Sequence, residues 1–523
     1  MAGPELVPGA DCDVLVVGAG PTGLLAACEL LRRGVRVRIV DRAAEPSTVP
    51  KALSLWPRAL DILAEAGLGE EIRQSSQRID AFSYYSDRTP LARFTFTPDL
   101  ASRILPQPVT ERLLRGRLHE LGGKIERRVR LLALDEQPDG VHVLLEHPDG
   151  GLERTRVPFV AGADGATSTV RGQIGSGFAG STYERSFALV DTRIEGELPD
   201  NEVQYFQAPS GTLVIVPAPD GVFRFLTVLP PTVAAIDVPM MQAVLDDRGP
   251  GGVRIAEPVW QTIFRVHARH ATQFRRGRVF LLGDAAHVHS PAGGQGLNNG
   301  LQDAHNLGWK LAAVVHGESP MPLLDSYEPE RQTATRRIVR DTDVQTRAWM
   351  VKGRAQLLAR DAAFRLLDTT GAVSRWYAPV MAGRRLAYPP TRPAQQPART
   401  AGCGLVRRRP TGLRIGAVFP RPLLPVAAGD EPPGWLLAVL PAASGDDWLA
   451  DPGWLADRRS GLDVVRLAPA AGRELGCRRP GFYLVRPDGH LAAHGHAEDL
   501  DRLRDELDRA LTITGRELEE QRA

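Results

Sequence analysis

A short apolar run that stops at a glycine cluster and then turns helical constrains this chain more than any other feature. Residues 13–17 read Asp-Val-Leu-Val-Val and are followed by Gly18-Ala-Gly20-Pro21-Thr22-Gly23. Helix formers fill 24–33, and a second β-rich run at Val35–Val40 ends in Asp41 and Arg42. Strand, glycine turn, helix and strand within about 30 residues make the unit that builds a parallel sheet. The glycines let backbone approach a pyrophosphate, and the helix N-terminus presents free N–H groups and positive dipole. Asp41, 21 residues past Gly20, stands where a carboxylate takes ribose hydroxyls. This context fits NAD and FAD equally. The glycine spacing alone is weak, because Gly175-Ser-Gly177-Phe-Ala-Gly180 repeats it. That copy follows no β run and opens no helix, so a plain loop is expected there.

Charge excludes one class of partner. The 64 basic and 62 acidic side chains leave a net +2, whereas nucleic-acid binding needs a concentrated positive footprint. No apolar run reaches the roughly 18–20 residues of a spanning helix, and the N-terminus lacks the basic-then-apolar order of a secretory signal. Neither nucleic acid nor membrane is therefore expected as a partner. Four cysteines, Cys12, Cys28, Cys403 and Cys477, show no CxxC spacing. A disulfide framework and a structural zinc are disfavoured, and a reducing cytoplasm is the expected setting.

At 523 residues the chain should hold two or three domains. Helical patterns occur at 57–66 and 110–121, and strand-like segments at 125–134, 140–146 and 159–161. Between about 178 and 270, short strand candidates (186–194, 202–207, 212–217, 222–229, 259–266) are separated by Pro, Gly and Asp, the pattern of an inserted antiparallel sheet. Residues 278–283 return to a buried strand, and 298–382 are helix-rich. The expected layout is a dinucleotide-binding part at 1–177, a β-sheet domain at 178–272 and the returning first domain with a helical region at 273–385. A Pro- and Arg-rich linker at 386–412 and a small α/β domain at 413–523 complete it. A charged helix at 498–511 reads as a solvated face.

Two further motifs add chemistry. Residues 162–171 read Gly-Ala-Asp164-Gly165-Ala-Thr-Ser-Thr-Val-Arg. The longer one begins Gly283-Asp284-Ala-Ala-His287-Val-His289-Ser-Pro291 and continues Ala-Gly293-Gly294-Gln295-Gly296-Leu297-Asn298-Asn299, with Asp303, Asn306 and Trp309-Lys310 beyond. Here a strand delivers Asp284 to its C-terminal edge, and a glycine-rich loop and helix N-terminus follow. That order suits a carboxylate on polyol hydroxyls and backbone N–H groups facing an electron-rich ring. His287 and His289 lack the extra ligands that would complete a metal site, so none is expected.

These three motifs, in this order, resemble the group A flavin monooxygenases of the para-hydroxybenzoate hydroxylase type, and more closely the aromatic hydroxylases that tailor polyketide antibiotics. The resemblance covers about residues 12–345. It implies an α/β fold: a Rossmann-like FAD-binding domain, an inserted antiparallel β-sheet substrate domain, and a C-terminal thioredoxin-like domain whose late turn is Arg486-Pro-Asp488-Gly. With no CxxC, that last domain is expected to pack or dimerise rather than do redox chemistry; a monomer or homodimer results.

By the same resemblance, Gly18, Gly20, Pro21, Thr22 and Gly23 hold the FAD pyrophosphate, and Asp41 with Arg42 the adenosine end. Asp164 and Gly165 support FAD, Asp284 binds the ribityl chain, and Pro291, Gly296, Leu297 and Asn298 pack around the isoalloxazine. Gln107, four residues before Glu111, matches a glutamine touching the flavin side chain, and Leu131 a main-chain contact to adenine. Lys51 replaces the usual arginine of an Arg-Ala pair, keeping the charge but losing the bidentate fork. The implied activity consumes NADPH or NADH and O2 and hydroxylates a large phenolic or polyketide-type ring through a flavin C4a-hydroperoxide. The run Gly293–Gly296 would leave a moving flavin ring little hindrance.

The uncharged segment at 212–217, carrying Val214 and Val216, and Arg224 with Phe225 on the next strand, are candidate substrate contacts. They favour an apolar polycyclic substrate over a small anionic acid. Two alternatives stay open: a Baeyer–Villiger oxidation on the same scaffold, and a non-catalytic FAD- or drug-binding protein. A flavin halogenase is disfavoured, since no Trp-x-Trp-x-Ile-Pro occurs. No catalytic base is evident.

Overall fold

The computed structural model describes residues 12–230, 232–233, 235–349, 354–390, 413–424, 431–442, 448–449, 462–477 and 479–511. Most of the expected linker, from 391 to 412, and Cys403 lie outside them. The chain divides into two compact units. One comprises Met1–Cys28, Arg36–Ala304 and Thr335–Arg384, the other Glu29–Val35, His305–Ala334 and Arg385–Ala523.

In the first unit, the run Val14–Val17 is fully buried and lies between Val37–Asp41 and Phe159–Gly162, parallel to both. Strands covered on both faces read as unbroken apolar runs for this reason. The full order is Arg275–Arg276, Val279–Leu281, Phe159–Gly162, Val14–Val17, Val37–Asp41, Ile125–Arg127. The parallel strands thus carry Asp41 at, and Gly18, Asp164 and Asp284 just past, their C-terminal ends, the edge at which open α/β sheets bind ligands.

An eight-stranded sheet forms the second layer of this unit. It runs His287–Val288, Arg254–Ala271, Phe178–Glu195, Val222–Leu229, Gly211–Pro217, Glu202–Ala208, Ala81–Ser86, Thr89–Thr95. Its two faces bury different clusters. Phe206, Leu213, Ile215 and Phe225 pack with Met241 and Leu245 of the helix Val238–Arg248. Phe187, Leu189, Tyr205, Val214 and Leu226 pack with Leu53, Ile79, Ile104 and Ala292. Period-two alternation along each strand sorts the residues this way.

Several local expectations change. The strand expected over 125–134 is two strands in two sheets: Ile125–Arg127 joins the parallel sheet, and Arg130–Gln137 a separate three-stranded sheet. Arg128, at φ +59°, breaks the run, because left-handed backbone cannot continue a strand. Helix 57–66 is Pro57–Leu63, followed by a π-turn over Ala64–Leu68 with Gly67 at φ +91°. Strands expected at 186–194 and 259–266 are 18 residues each, Phe178–Glu195 and Arg254–Ala271. The second glycine pattern, expected as a plain loop, opens the first of these strands instead, Phe178 to Gly180 lying within it; it opens no helix. A Cβ on Gly180 would lie 2.0 Å from the Ala268 carbonyl oxygen, so that glycine answers to strand packing.

In the second unit, a four-stranded sheet runs Leu462–Arg466, Trp435–Leu440, Gly481–Val485, Leu491–His496. Its first pair is parallel and the rest antiparallel. One face buries Leu436, Leu440, Tyr483 and Phe419. The other buries Leu437, Val439, Phe482 and Leu484 against Leu503 and Leu507. Those two leucines, four apart, are the inward stripe of the helix Leu500–Leu511; the charged residues between them face solvent.

Candidate active site

The glycine turn is built by contact as much as by conformation. Gly18 has φ +104°, and a Cβ there would lie 2.4 Å from the Ala163 carbonyl oxygen. A Cβ on Gly23 would come within 1.9 Å of the Gly18 oxygen. Both glycines are thus demanded by close packing of turn, helix and neighbouring strand. Gly20 and Gly165 differ: a Cβ on either meets nothing within 4 Å. The space beside them is open, as a backbone cradle for a bound phosphate requires. Pro21 begins the helix Pro21–Leu31, where its preset φ and missing N–H are harmless. Thr22 packs closely beneath two other glycines, its Oγ1 falling 2.7 Å from a Cβ placed on Gly283 and 2.4 Å from one on Gly300.

Asp41 accepts hydrogen bonds from the amides of Ala19 (2.6 Å) and Ala43 (2.7 Å), with Arg127 3.6 Å away. It pins the second strand to the glycine turn. Arg42, exposed, donates to Thr167 Oγ1 at 3.2 Å, which ties the same strand end to the Asp164 loop. Asp164 Oδ2 accepts from the amides of Thr169 (2.7 Å) and Val170 (3.1 Å). Its other oxygen, Oδ1, is buried without a partner, and an orphaned carboxylate oxygen of this kind calls for a ligand donor. Leu131 is buried in the three-stranded sheet, opposite Leu145 where the register slips.

Asp284 sits in a single 3-10 turn, Gly283–Ala285. Its side chain is reached by solvent, yet the protein around it desolvates the carboxyl. Burial raises its carboxyl above the usual range, and His287 and Lys51 partly offset this. Asp303 sets the turn. Its Oδ2 accepts from the Gly283 amide at 2.9 Å and pairs with His287 Nε2 at 2.6 Å. His287 is thereby explained as a brace, and no group of three ligating residues that could hold a metal occurs among the described residues. His289 contacts the Ser290 carbonyl through Nδ1 at 3.1 Å, and burial pushes its pKa down to about 4.

The loop after Pro291 corrects one expectation. Gly293 and Gly294 have φ of +72° and +60°, and added Cβ atoms would lie 2.7 Å from Met381 Cε and from Ser54 Cβ. These glycines are demanded by left-handed backbone and tight packing, and the loop is not a region of open space. The Asn298 side chain is fully committed: Nδ2 donates to the Ser54 and Gly294 carbonyls (2.8 and 2.7 Å), and Oδ1 accepts from the Trp56 amide at 2.7 Å. What remains for a ligand is the start of the helix Gly296–Val315, where the first-turn N–H groups of Gly296, Leu297 and Asn298 have no partner within the helix.

Arg224 and Phe225 do not stand where a substrate contact would. Phe225 is fully buried on the sheet face that packs against the helix Val238–Arg248, because it alternates with Arg224 along the strand. Arg224 faces the other way, but its guanidinium is spent. It makes two 2.7 Å hydrogen bonds to buried Asp191, donates to the Lys51 carbonyl at 3.0 Å and to the Pro50 carbonyl, and lies over Trp260 at 5.5 Å. From the other side Gln107 brackets Ala52, its backbone N–H donating to the Ala52 carbonyl at 2.9 Å and its Oε1 accepting from the Ala52 backbone N–H at 3.3 Å. The Lys51-Ala52 strap is therefore nailed down from two directions while the Lys51 side chain stays exposed. Val214 and Val216 do lie on the face shared with Ala292, as do Trp260 and Phe264.

Removing one partner of a buried ion pair strands the other. Asp191→Ala should therefore cost about 3–5 kcal/mol of stability and loosen the Lys51 strap. Thermal unfolding followed by circular dichroism checks this, and a melting temperature equal to wild type contradicts it.

Three comparisons bear on this geometry. The model of the FAD binding domain family matches residues 11–342. The chain is 34% identical over 521 residues to the 6-methylpretetramide 4-monooxygenase of Streptomyces rimosus, covering 92% of this chain and 90% of that protein. It is also 34% identical over 353 residues to the pentachlorophenol 4-monooxygenase of Sphingobium chlorophenolicum, covering 64% of each. Among solved structures, the anhydrotetracycline hydroxylase OxyS from Streptomyces rimosus superimposes with a TM-score of 0.76 at 28% identity, over 97% of this chain and all of that one.

Proposed function

The chain belongs to the FAD-binding family of group A flavin-dependent aromatic monooxygenases, and we propose that it hydroxylates a large, polycyclic phenol of the polyketide type at the expense of NADPH or NADH. The observation that carries the substrate class is the fate of Arg224. Its pairing with Asp191 commits the one arginine of this strand and leaves beside it an apolar surface of Val214, Val216, Trp260 and Phe264, which suits a fused ring system better than the carboxylate of a small acid. The similarity to an enzyme named for 6-methylpretetramide points the same way.

The residues fit FAD: an open cradle at Gly20 and Gly165, an unpartnered Asp164 oxygen, and a solvent-facing Asp284 all stand at one sheet edge. Bound FAD supplies the redox chemistry, taking hydride from reduced nicotinamide and delivering one atom of O2 to the ring. The protein supplies placement and electrostatics. Gly18–Gly23 and the helix behind them receive the pyrophosphate, and Asp41 the ribose. Asp284 accepts from the ribityl hydroxyls, with Lys51 nearby as a compensating charge. The first-turn N–H groups of Leu297 and Asn298 would be the donors for the ring, and the apolar sheet face would keep water from the reacting centre. The four-stranded domain fits a thioredoxin-like appendage with a packing role: of the described cysteines, only Cys477 belongs to it, and that one is buried. We take the enzyme to act in the cytoplasm, as a monomer or homodimer.

The test is aerobic incubation of the holoenzyme with NADPH and a panel of polycyclic phenols. A product heavier by one oxygen, with the ring intact, supports the reading. NADPH oxidation that yields only peroxide across the panel, or a ring-expanded lactone, overturns it. Separately, Asp284→Ala should weaken FAD binding about a hundred-fold, the effect of losing two charge-assisted hydrogen bonds. Flavin retained at wild-type occupancy after dialysis would remove Asp284 from the site. Lys51→Arg should keep flavin reduction near normal, whereas Lys51→Ala slows it; stopped-flow reduction separates the two.

A further inference from the structure

We propose that a surface recess walled by Arg78, Arg103 and Arg384 binds the phosphorylated adenosine ribose of NADPH. The proposal rests on the reading of this chain as a nicotinamide-consuming enzyme and deepens it. The recess measures about 270 Å³ and also has Pro57, Leu60 and Pro98 in its wall. That is just below the roughly 300–1,000 Å³ of sites enclosing a whole drug-sized ligand, so it suits one end of a dinucleotide. The apolar side matches a base and the arginines a phosphate.

Three observations point to an anion. Arg78 and Arg103 are direct cross-strand neighbours, and like charges placed directly opposite destabilise a sheet; such a pair makes sense where an anion joins them. Arg103 uses only Nη1 within the protein, on the carbonyls of Arg73 and Ser76 and on Ser76 Oγ at 3.1–3.3 Å. Its Nε–Nη2 edge has no partner among the described residues, and two parallel N–H groups are what a phosphate takes. Burial, then the neighbouring charges of Arg78 and Arg73, depress the Arg103 pKa, and a bound anion would relieve both. Arg384 is paired with Asp61 and Arg78 with Asp80, so Arg103 is the cation of the recess with hydrogen-bonding capacity to spare, and an anion would draw the other two into a shared contact.

Location favours NADPH over a free anion. Arg103 faces Leu55 across the sheet, and the preceding residue of that strand, Ser54, packs against Gly294 of the glycine loop. Arg103 therefore lies one strand from the strand that meets the loop assigned to the flavin ring, on the sheet face opposite to Ser54. No second dinucleotide fold is evident in the sequence, and arginine is the usual reader of a 2′-phosphate.

The experiment measures kcat/KM of the holoenzyme for NADPH and for NADH, with a phenol that stimulates turnover, in wild type, Arg103→Gln and Arg78→Gln. The wild type should favour NADPH, and each variant should cut the NADPH-to-NADH ratio about ten-fold, the loss of one good charge-assisted contact. An unchanged ratio in the variants overturns the proposal. Adenosine 2′,5′-bisphosphate should compete with NADPH in wild type and do so far better than inorganic phosphate; equal inhibition by the two would mean a bare anion site and overturn the nucleotide assignment. Should Arg103→Gln misfold through loss of its carbonyl contacts, Arg78→Gln decides, because its ion pair with Asp80 is solvent-exposed. A wild type oxidising neither nicotinamide would sink the reductant reading instead, and calorimetric binding of adenosine 2′,5′-bisphosphate would still report on the recess.

Discussion

Gly23→Ala should yield a protein with almost no flavin. The new Cβ would lie 1.9 Å from the Gly18 carbonyl oxygen and 3.0 Å from its carbon. Both are backbone atoms, and no side chain can swing aside to make room. Either the helix Pro21–Leu31 shifts or the turn opens, and each displaces the N–H groups that meet the pyrophosphate. FAD affinity should fall at least a hundred-fold, about 2.7 kcal/mol. Gly20→Ala is the control for mechanism, since its Cβ meets no protein atom within 4 Å. That variant should fold and melt like wild type yet bind FAD about ten-fold more weakly, because the methyl enters the space the phosphate would use. Fluorescence titration with FAD and thermal melts of the apoproteins read both effects. Wild-type affinity in both variants would show that the turn is not the phosphate cradle.

Arg486→Leu should unfold the second unit well below the temperature at which the wild type opens. Arg486 donates to both oxygens of Glu330 at 2.6 and 2.9 Å and to Asp488 at 2.5 and 3.0 Å. Lys310 completes the set, with Nζ 2.7 Å from Glu330 and 3.0 Å from Asn306 Oδ1. Glu330, Asp488 and Lys310 are each about 1% exposed or less. Removing the arginine leaves two buried carboxylates against one ammonium, at a cost of about 3–5 kcal/mol. Hydrogen exchange in Gly481–Val485 measures it.

The same cluster sets an acid limit. Burial alone would raise Glu330, but Arg486 and Lys310 outweigh it and hold it at about 2. Asp488 is likewise held well below its usual range, burial being outweighed by Arg486 and His490. Carboxyls depressed in the folded state contribute stability above their unfolded pKa, near 4, and lose it as pH falls toward the folded value. Protection of this unit should therefore decline between about pH 4.5 and 2. In Glu330→Gln that decline should be visibly shallower. Identical acid profiles for the two proteins would show that the cluster does not control it.

The parallel sheet, the glycine turn at its edge and the order of the three motifs are legible in the chain alone. Each is written in adjacent residues: an apolar run, a glycine whose neighbours force its choice, a carboxylate at a strand end. Contacts between distant segments could not be read that way. Arg224 looked like a free cation on an apolar strand, and only the pairing of Val222–Leu229 with Phe178–Glu195 brings Asp191 against it. Phe225 fell on the wrong face because the sequence carries alternation but not which face meets the cofactor layer. Gly293 and Gly294 suggested room to move; Ser54 and Met381, roughly 240 residues before and 90 after them, fill that room instead. Asp303 was visible as part of a motif, yet its hold on Gly283 and His287 depends on a helix folding back over its own N-terminal loop. Local backbone demands are encoded locally, whereas the partner of a buried charge is chosen by which strands lie side by side, and that is decided only when the whole chain has packed.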